Sequence, residues 1–240
     1  SVASAYKGDR IEQDLPAPQQ DFLRKIREDN DRPVILVLTG GSPITTPELE
    51  ELADVILFAW YPGQQGGAAV ADVIFGDHNP SGRLPITFPM STDQLPPYED
   101  YSMEGRTYKY MTEKPWYPFG YGLSFTSFEY AKPELSSRSV SSGDALEVTV
   151  KVRNTGDTDG REIVQLYITS EDAEFDVPQS SLIGFKPVEV AAGAEQSVTF
   201  TVKPEQMDVF DADGQRQRIK GRYTLHAGGV SPGERGEELT

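Results

Sequence analysis

The spacing of apolar residues changes halfway along the chain. Through the first part, short continuous apolar runs alternate with stretches whose apolar residues recur at helical spacing. Residues 18–29 put Phe22, Leu23 and Ile26 on one helical face, and Pro33 then opens the run Val34-Ile35-Leu36-Val37-Leu38. A run that apolar, bounded by Pro and Gly-Gly, predicts a strand buried on both faces. A short helix over Glu48–Ala53, a second buried strand over Val55–Trp60, a helix over Ala68–Phe75 and a strand over Leu84–Phe88 continue the βαβα order of a parallel sheet covered by helices. In the second part Leu146, Val148, Val150 and Val152 alternate with polar residues, as do Val164-Leu166-Ile168, Val198-Phe200-Val202 and Tyr223-Leu225-Ala227. Period-two alternation predicts half-buried antiparallel strands. Turn signals at Asn154-Thr155-Gly156, Asp159-Gly160, Ala192-Gly193 and Asp213-Gly214 space them as in a β-sandwich.

The expected architecture is therefore α/β followed by all-β, joined near Tyr121–Ser127. Two or three parallel strands cannot cover two helix layers, so the α/β part reads as partial, with more sheet expected before residue 1. The opening residues, Ser-Val-Ala-Ser-Ala-Tyr-Lys, read as a cut end, and the polar stretch 231–240 as a flexible tail. Open sheets bind ligands beyond the carboxyl ends of their strands, which points to the loops Gly40-Gly41-Ser42-Pro43 and Pro62–Gly67.

Charge narrows the partners. The 240 residues carry 22 Lys and Arg against 38 Asp and Glu, a net charge of −16. The surplus is even, with 10 basic and 18 acidic residues in 1–125, so it describes a solvated surface rather than an acidic tail. Such a surface repels phosphate backbones, and nucleic acid is not an expected partner. No apolar run approaches the length of a membrane span. Absence of cysteine removes disulfides, thiolate nucleophiles and Cys-ligated zinc, and leaves localisation open.

Chemical candidates are few. Gly63-Gln64-Gln65-Gly66-Gly67 before a helix lacks the Lys-Ser/Thr pair of a phosphate loop and reads as a tight turn that lets the helix pack on the sheet. His78 and His226 stand in different predicted domains without ligand-spaced partners, so neither a metal nor a cofactor is expected. No Gly-x-Ser-x-Gly elbow supports a serine hydrolase, and Trp60 and Trp116 read as packing residues. The densest mixture of aromatics and charges is Tyr98 to Tyr110. There, Tyr98 and Tyr101 with Glu99, Asp100 and Arg106 suit a sugar ring, which offers C–H faces to stack and hydroxyls to bond. The alternative is a connecting loop with packed tyrosines and solvated charges.

Several motifs together resemble glycoside hydrolase family three. They are Gly8-Asp9-Arg10 with Asp14-Leu15-Pro16, Ala59–Gly67 running into Ala71-Asp72-Val73, Phe75-Gly76-Asp77 with Asn79–Pro85, Tyr117–Phe125, and Leu182–Lys186. The segment Asp93–Pro96 through Tyr108 is most similar to its β-xylosidase and β-glucosidase branch. The resemblance implies the end of an α/β sandwich domain over 1–120, a linker over 121–127 and a fibronectin type III-like sandwich over 128–230. It further implies a missing N-terminal barrel that carries the Asp nucleophile of a retaining mechanism. The Glu acid/base of the family falls before Gly8-Asp9-Arg10, where this chain has Ala5, Tyr6 and Lys7, or further upstream; Glu12 lies after the motif and is not promoted to the role. No catalytic residue is expected in the chain. The implied partners are a β-linked oligosaccharide or glycoside and the N-terminal barrel. The chain is then the inactive C-terminal part of a β-glycosidase, with the Tyr98–Tyr110 loop at the pocket rim. A non-enzymatic carbohydrate-binding or interaction module remains the alternative.

Overall fold

The computed structural model describes residues 12–211 and 213–233. They fall into two compact units with interleaved segments. The first takes the chain up to His78, Thr87–Gly105 and Glu113–Tyr117; the second takes Asn79–Ile86, Arg106–Thr112 and everything from Pro118 onward.

The first unit is α/β. Helix α1 (Ala17–Arg27) begins after Pro16, with Pro18 in its first turn, where a missing N–H leaves no bond unmade. Strand β1 (Ile35–Leu38), helix α2 (Leu49–Leu52), strand β2 (Val55–Phe58) and helix α3 (Gly66–Phe75) follow. β1 and β2 pair in parallel, Ile35 opposite Val55 and Leu38 opposite Phe58. The Asp54 carboxylate accepts from the Val34 amide at 2.7 Å and from Arg27 Nη2 at 2.8 Å, tying α1 to the start of the sheet. Those two donors hold its carboxyl below the usual range.

Burial on both strand faces, expected from the apolar runs, is not found. Only Leu38 of β1 is buried, while Ile35 is 42% and Val55 44% exposed. On α1 Leu23 is buried and Phe22 is exposed. The physical reason is that a parallel sheet is covered by its crossover helices and flanking strands, and two strands do not suffice. The strand expected over Leu84–Phe88 is also absent. Phe88 makes an isolated bridge to Tyr117, and Leu84 exchanges bonds with Tyr121 and Gly120, each at 2.8 Å. Pro85 and Pro89 remove the donors that a continuous ladder needs.

The second unit is an antiparallel β-sandwich, as the alternation predicts. Helix α4 (Thr107–Tyr110) is followed by β3 (Phe128–Tyr130), β4 (Glu134–Leu135), β5 (Leu146–Asn154), β6 (Gly160–Ser170), β7 (Ser181–Val190), β8 (Glu195–Val202), β9 (Asp208–Phe210), β10 (Arg216–Arg218) and β11 (Tyr223–Gly228). One sheet has the order β11-β6-β7; in the other β5 is flanked by β3 and β4 and by β8, while β9 and β10 form a hairpin. The core is the set that the alternation nominates: Leu146, Val148, Val150, Val152, Val164, Leu166, Val198, Phe200 and Val202. The turn after β5 is organised by the buried Asn154, whose amide donates to the carbonyls of Thr158 at 2.8 Å and Val190 at 3.0 Å.

Candidate functional site

The segment nominated by composition is a surface loop. A 3-10 turn at Thr92–Gln94 and the pair Pro96-Pro97 lead into it. The Asp100 amide closes a turn on the Pro97 carbonyl at 3.0 Å, and the Asp100 carboxylate accepts from the Ser102 amide at 2.8 Å. Tyr98 and Tyr101 stand out of this turn, 74% and 86% exposed, with Glu99 and Asp100 exposed beside them. These four belong to the first unit; Arg106, half-buried, precedes α4 and belongs to the second. The loop thus splits by role. Tyr98 and Tyr101 present free ring faces, whereas Tyr108 packs in the sandwich unit, stacked on Phe119 at 4.5 Å and edge-on to Tyr167 at 5.8 Å. The Tyr108 hydroxyl oxygen accepts from the Leu182 amide at 3.1 Å, and burial pushes the phenol up.

At the carboxyl ends of β1 and β2 the two expected loops meet. A side chain at Gly41 would come within 2.7 Å of the Tyr61 ring, so glycine there lets the ring lie over the loop. Trp60 adopts a left-handed backbone at φ 53°, a conformation bulky residues avoid unless their surroundings impose it. Its ring packs edge-on to Phe58 at 4.4 Å and Phe88 at 6.3 Å. At the start of α3 a Gly66 side chain would meet Pro62 at 2.5 Å, which accords with a tight turn for close packing. Trp116 is fully buried, donates Nε1–H to Glu50 at 2.9 Å and stacks on Tyr117.

Sequence reasoning missed a buried polar centre in the sandwich unit. Arg83 Nη2 donates to Glu162 Oε2 at 2.7 Å, with the two side chains only 9% and 3% exposed. Glu162 Oε1 accepts from the Ile163 amide at 3.0 Å, so both oxygens of that carboxylate are engaged. Nearby Gln165 donates to the carbonyls of Gly120 and Gly229 and accepts from the Tyr167 hydroxyl. The signal lay in the pattern: Glu162 and Gln165 interrupt the apolar residues of β6, and buried polar groups require partners. The carbonyl of Asn79's side chain likewise accepts from Ser124 and the Phe125 amide, each at 2.8 Å. The motifs Asn79–Pro85 and Tyr117–Phe125 are thereby tied into one scaffold.

No group of three or more His, Asp or Glu able to hold a metal occurs among the described residues. No described helix is long and apolar enough to cross a membrane. Gly8-Asp9-Arg10 lies outside the described residues, while Asp14 accepts from the Thr45 hydroxyl and Glu12 is exposed.

This arrangement, a partial parallel sheet and then an antiparallel sandwich, is matched by known proteins. The model of the glycosyl hydrolase family 3 C-terminal domain matches residues 3–125, and that of the fibronectin type III-like domain residues 162–231. The chain belongs to glycosyl hydrolase family 3. Within that family it is 41% identical over 219 residues to a xylan 1,4-β-xylosidase of Xylanibacter ruminicola, covering 91% of this chain and 25% of the relative. A periplasmic β-glucosidase of Salmonella typhimurium is 33% identical, covering 89% of this chain and 29% of the relative. A solved β-glucosidase of Erythrobacter marinus superposes with a TM-score of 0.82 at 39% identity, over 93% of this chain and 30% of that one. The β-glucosidase of Listeria innocua in complex with glucose gives 0.81 at 30% identity, over 93% and 33%. The chain thus spans about a quarter to a third of the length of these family 3 relatives.

Proposed function

We propose that this chain is the C-terminal part of a retaining β-glycosidase of β-xylosidase or β-glucosidase type, and that it does not turn over substrate alone. The observation that carries this reading is the two-stranded sheet β1–β2, whose apolar residues stay exposed on a chain that spans a third or less of its family 3 relatives. A free-standing binding module has no use for such a sheet, whereas a domain whose remaining strands lie elsewhere requires it. In this reading residues 1–120 finish the α/β domain, 121–127 connect it, and 128–230 form the fibronectin type III-like module. The N-terminal barrel supplies the nucleophile, and the acid/base also comes from the missing part. Retaining hydrolysis needs two carboxyl groups about 5–5.5 Å apart across the scissile bond, one to form the glycosyl-enzyme and one to protonate the leaving oxygen.

The chain's own contribution is the pocket rim. Tyr98 and Tyr101 offer ring faces to the C–H surface of a sugar, and Glu99 and Asp100 accept from its hydroxyls; Arg106, which belongs to the other unit, is not carried into this set. The test is a substitution series in the protein extended to its barrel. Tyr98→Ala and Tyr101→Ala should raise KM several-fold with kcat little changed, and Glu12→Gln, Glu99→Gln, Asp100→Asn and Glu104→Gln should keep kcat within about tenfold of the parent. Loss of kcat by about a thousandfold or more in any one of the four carboxylate variants would place a catalytic group in this chain and overturn the reading.

A further inference from the structure

The sandwich unit holds a groove of about 450 Å³ that the glycosidase reading does not use. Its walls come from Tyr121–Ser124, Thr126 and Ser127 of the connecting segment, from Phe128 and Tyr130 of β3, and from Gly228–Gly233 at and beyond the end of β11. Its volume falls in the range of about 300–1,000 Å³ typical of small-ligand sites.

The chemistry of its lining restricts the occupant. Arg83, at the groove, spends one guanidinium nitrogen on Glu162 and another on the Gly82 carbonyl at 3.1 Å, while its Nε is buried with no acceptor among the described residues. The Tyr130 hydroxyl is also buried. It lies beside the Glu162 carboxylate, and burial, then that charge and hydrogen bonding to it, push the phenol well above its ordinary range. A buried donor without a partner is a standing penalty that a hydroxyl oxygen of a ligand would relieve. Arg83 is already neutralised by Glu162, and Glu129 adds a further negative charge to the wall, so the groove has no surplus cation for an anion. Tyr121, Phe128 and Tyr130 contribute aromatic surface, which suits C–H faces more than extended charge.

The Gly-rich wall is part of the construction. A side chain at Gly229 would come within 3.0 Å of Glu162 Oε1 and 3.3 Å of the Tyr130 hydroxyl, closing the groove on its polar centre. Gly122 similarly lets the connecting segment run against the Gly82 carbonyl beside Arg83.

From the buried Arg83 Nε with no acceptor among the described residues, the Tyr130 hydroxyl beside it at the Glu162 carboxylate, the neutralised charge and the aromatic wall, we propose that this groove is a binding site for a neutral polyhydroxylated ligand of about disaccharide size. It lies wholly within the sandwich unit, and its occupancy is independent of hydrolysis. The site can therefore fail while the glycosidase reading stands, and the reverse.

The test is titration of the 240-residue chain with cellobiose and with xylobiose, by calorimetry and by saturation-transfer NMR, with sulfate as the anionic control. The expected result is binding of at least one disaccharide with Kd near about 1 mM, and none of sulfate. Tyr130→Phe, which removes only the hydroxyl, and Arg83→Lys, which keeps the charge opposite Glu162 but loses Nε, should each weaken binding about fivefold or more without lowering the thermal midpoint of Tyr130→Phe. Phe210→Ala, exposed in the same unit and outside the groove, should leave this binding unchanged. Should Arg83→Lys fail to fold, Tyr130→Phe alone decides. The proposal is overturned if neither disaccharide binds, if sulfate binds in preference, or if Tyr130→Phe binds as the parent does.

Discussion

Asp208 illustrates how single charges hold this acidic chain together. Its carboxylate is nearly buried at the β9–β10 hairpin, paired with Arg216 at 2.5 Å and also with Arg218. The hydrogen bond from Arg218, and then its charge and that of Arg216, hold the carboxyl below its usual range. A folded-state pKa below the unfolded value means that the ionised pair stabilises the fold above the unfolded value, about 3.9, and that this stabilisation disappears as pH falls through the folded value. Asp208→Asn should therefore be less stable than the parent at pH 7, with the gap narrowing below about pH 4; denaturant melts at both pH values check it. A gap that persists unchanged at low pH would mean that packing, not charge, explains the loss. At this scale the sequence was only partly legible. Arg83 and Glu162 are 79 residues apart, and nothing in local spacing pairs them. Tyr98 and Tyr101 were legible because exposed aromatics beside Pro-Pro and carboxylates make a loop, whereas the structural part of Tyr108 depends on Phe119 and Tyr167, which spacing cannot bring together.

Elements were read well where one side of a strand meets the core and poorly where tertiary context decides. The alternating strands β5, β6, β8 and β11 follow from period two, because a one-residue slip would turn every valine of β5 to solvent. β7 is harder to see, since Gly184 and Pro187 break its pattern; it lies at the end of the β11-β6-β7 order, where a missing donor is tolerated. Two apolar strands of similar appearance, β1 and β6, differ in burial for the same reason that they differ in context: Leu166 is 1% exposed and Val37 is 39% exposed. Leu166→Ala should cost about 2–5 kcal/mol, while Val37→Ala should change stability by roughly 0.5 kcal/mol or less. Urea unfolding of the two variants measures the difference. A comparable loss at Val37 would mean that the β1 face is covered by something in the isolated chain.

For the whole molecule, the order of a partial α/β domain before a β-sandwich was legible from the change of hydrophobic period, and membership of glycosyl hydrolase family 3 is carried by motifs spread over most of the chain. The degree of completeness was legible only from the shortage of strands, and the exposed β1–β2 sheet gives that shortage a physical form. Apolar strand faces of this kind favour association with further sheet or helix. The rim residues Tyr98, Glu99, Asp100 and Tyr101 belong, in the proposed reading, to a pocket that the remaining part of the protein completes. The most direct measurement is release of p-nitrophenol from aryl β-xyloside and aryl β-glucoside by the purified 240-residue chain, run at high concentration against a mock purification and beside the same chain extended to its barrel. The account predicts no release above the mock by the chain alone and turnover by the extended protein; authentic turnover by the chain alone would contradict it.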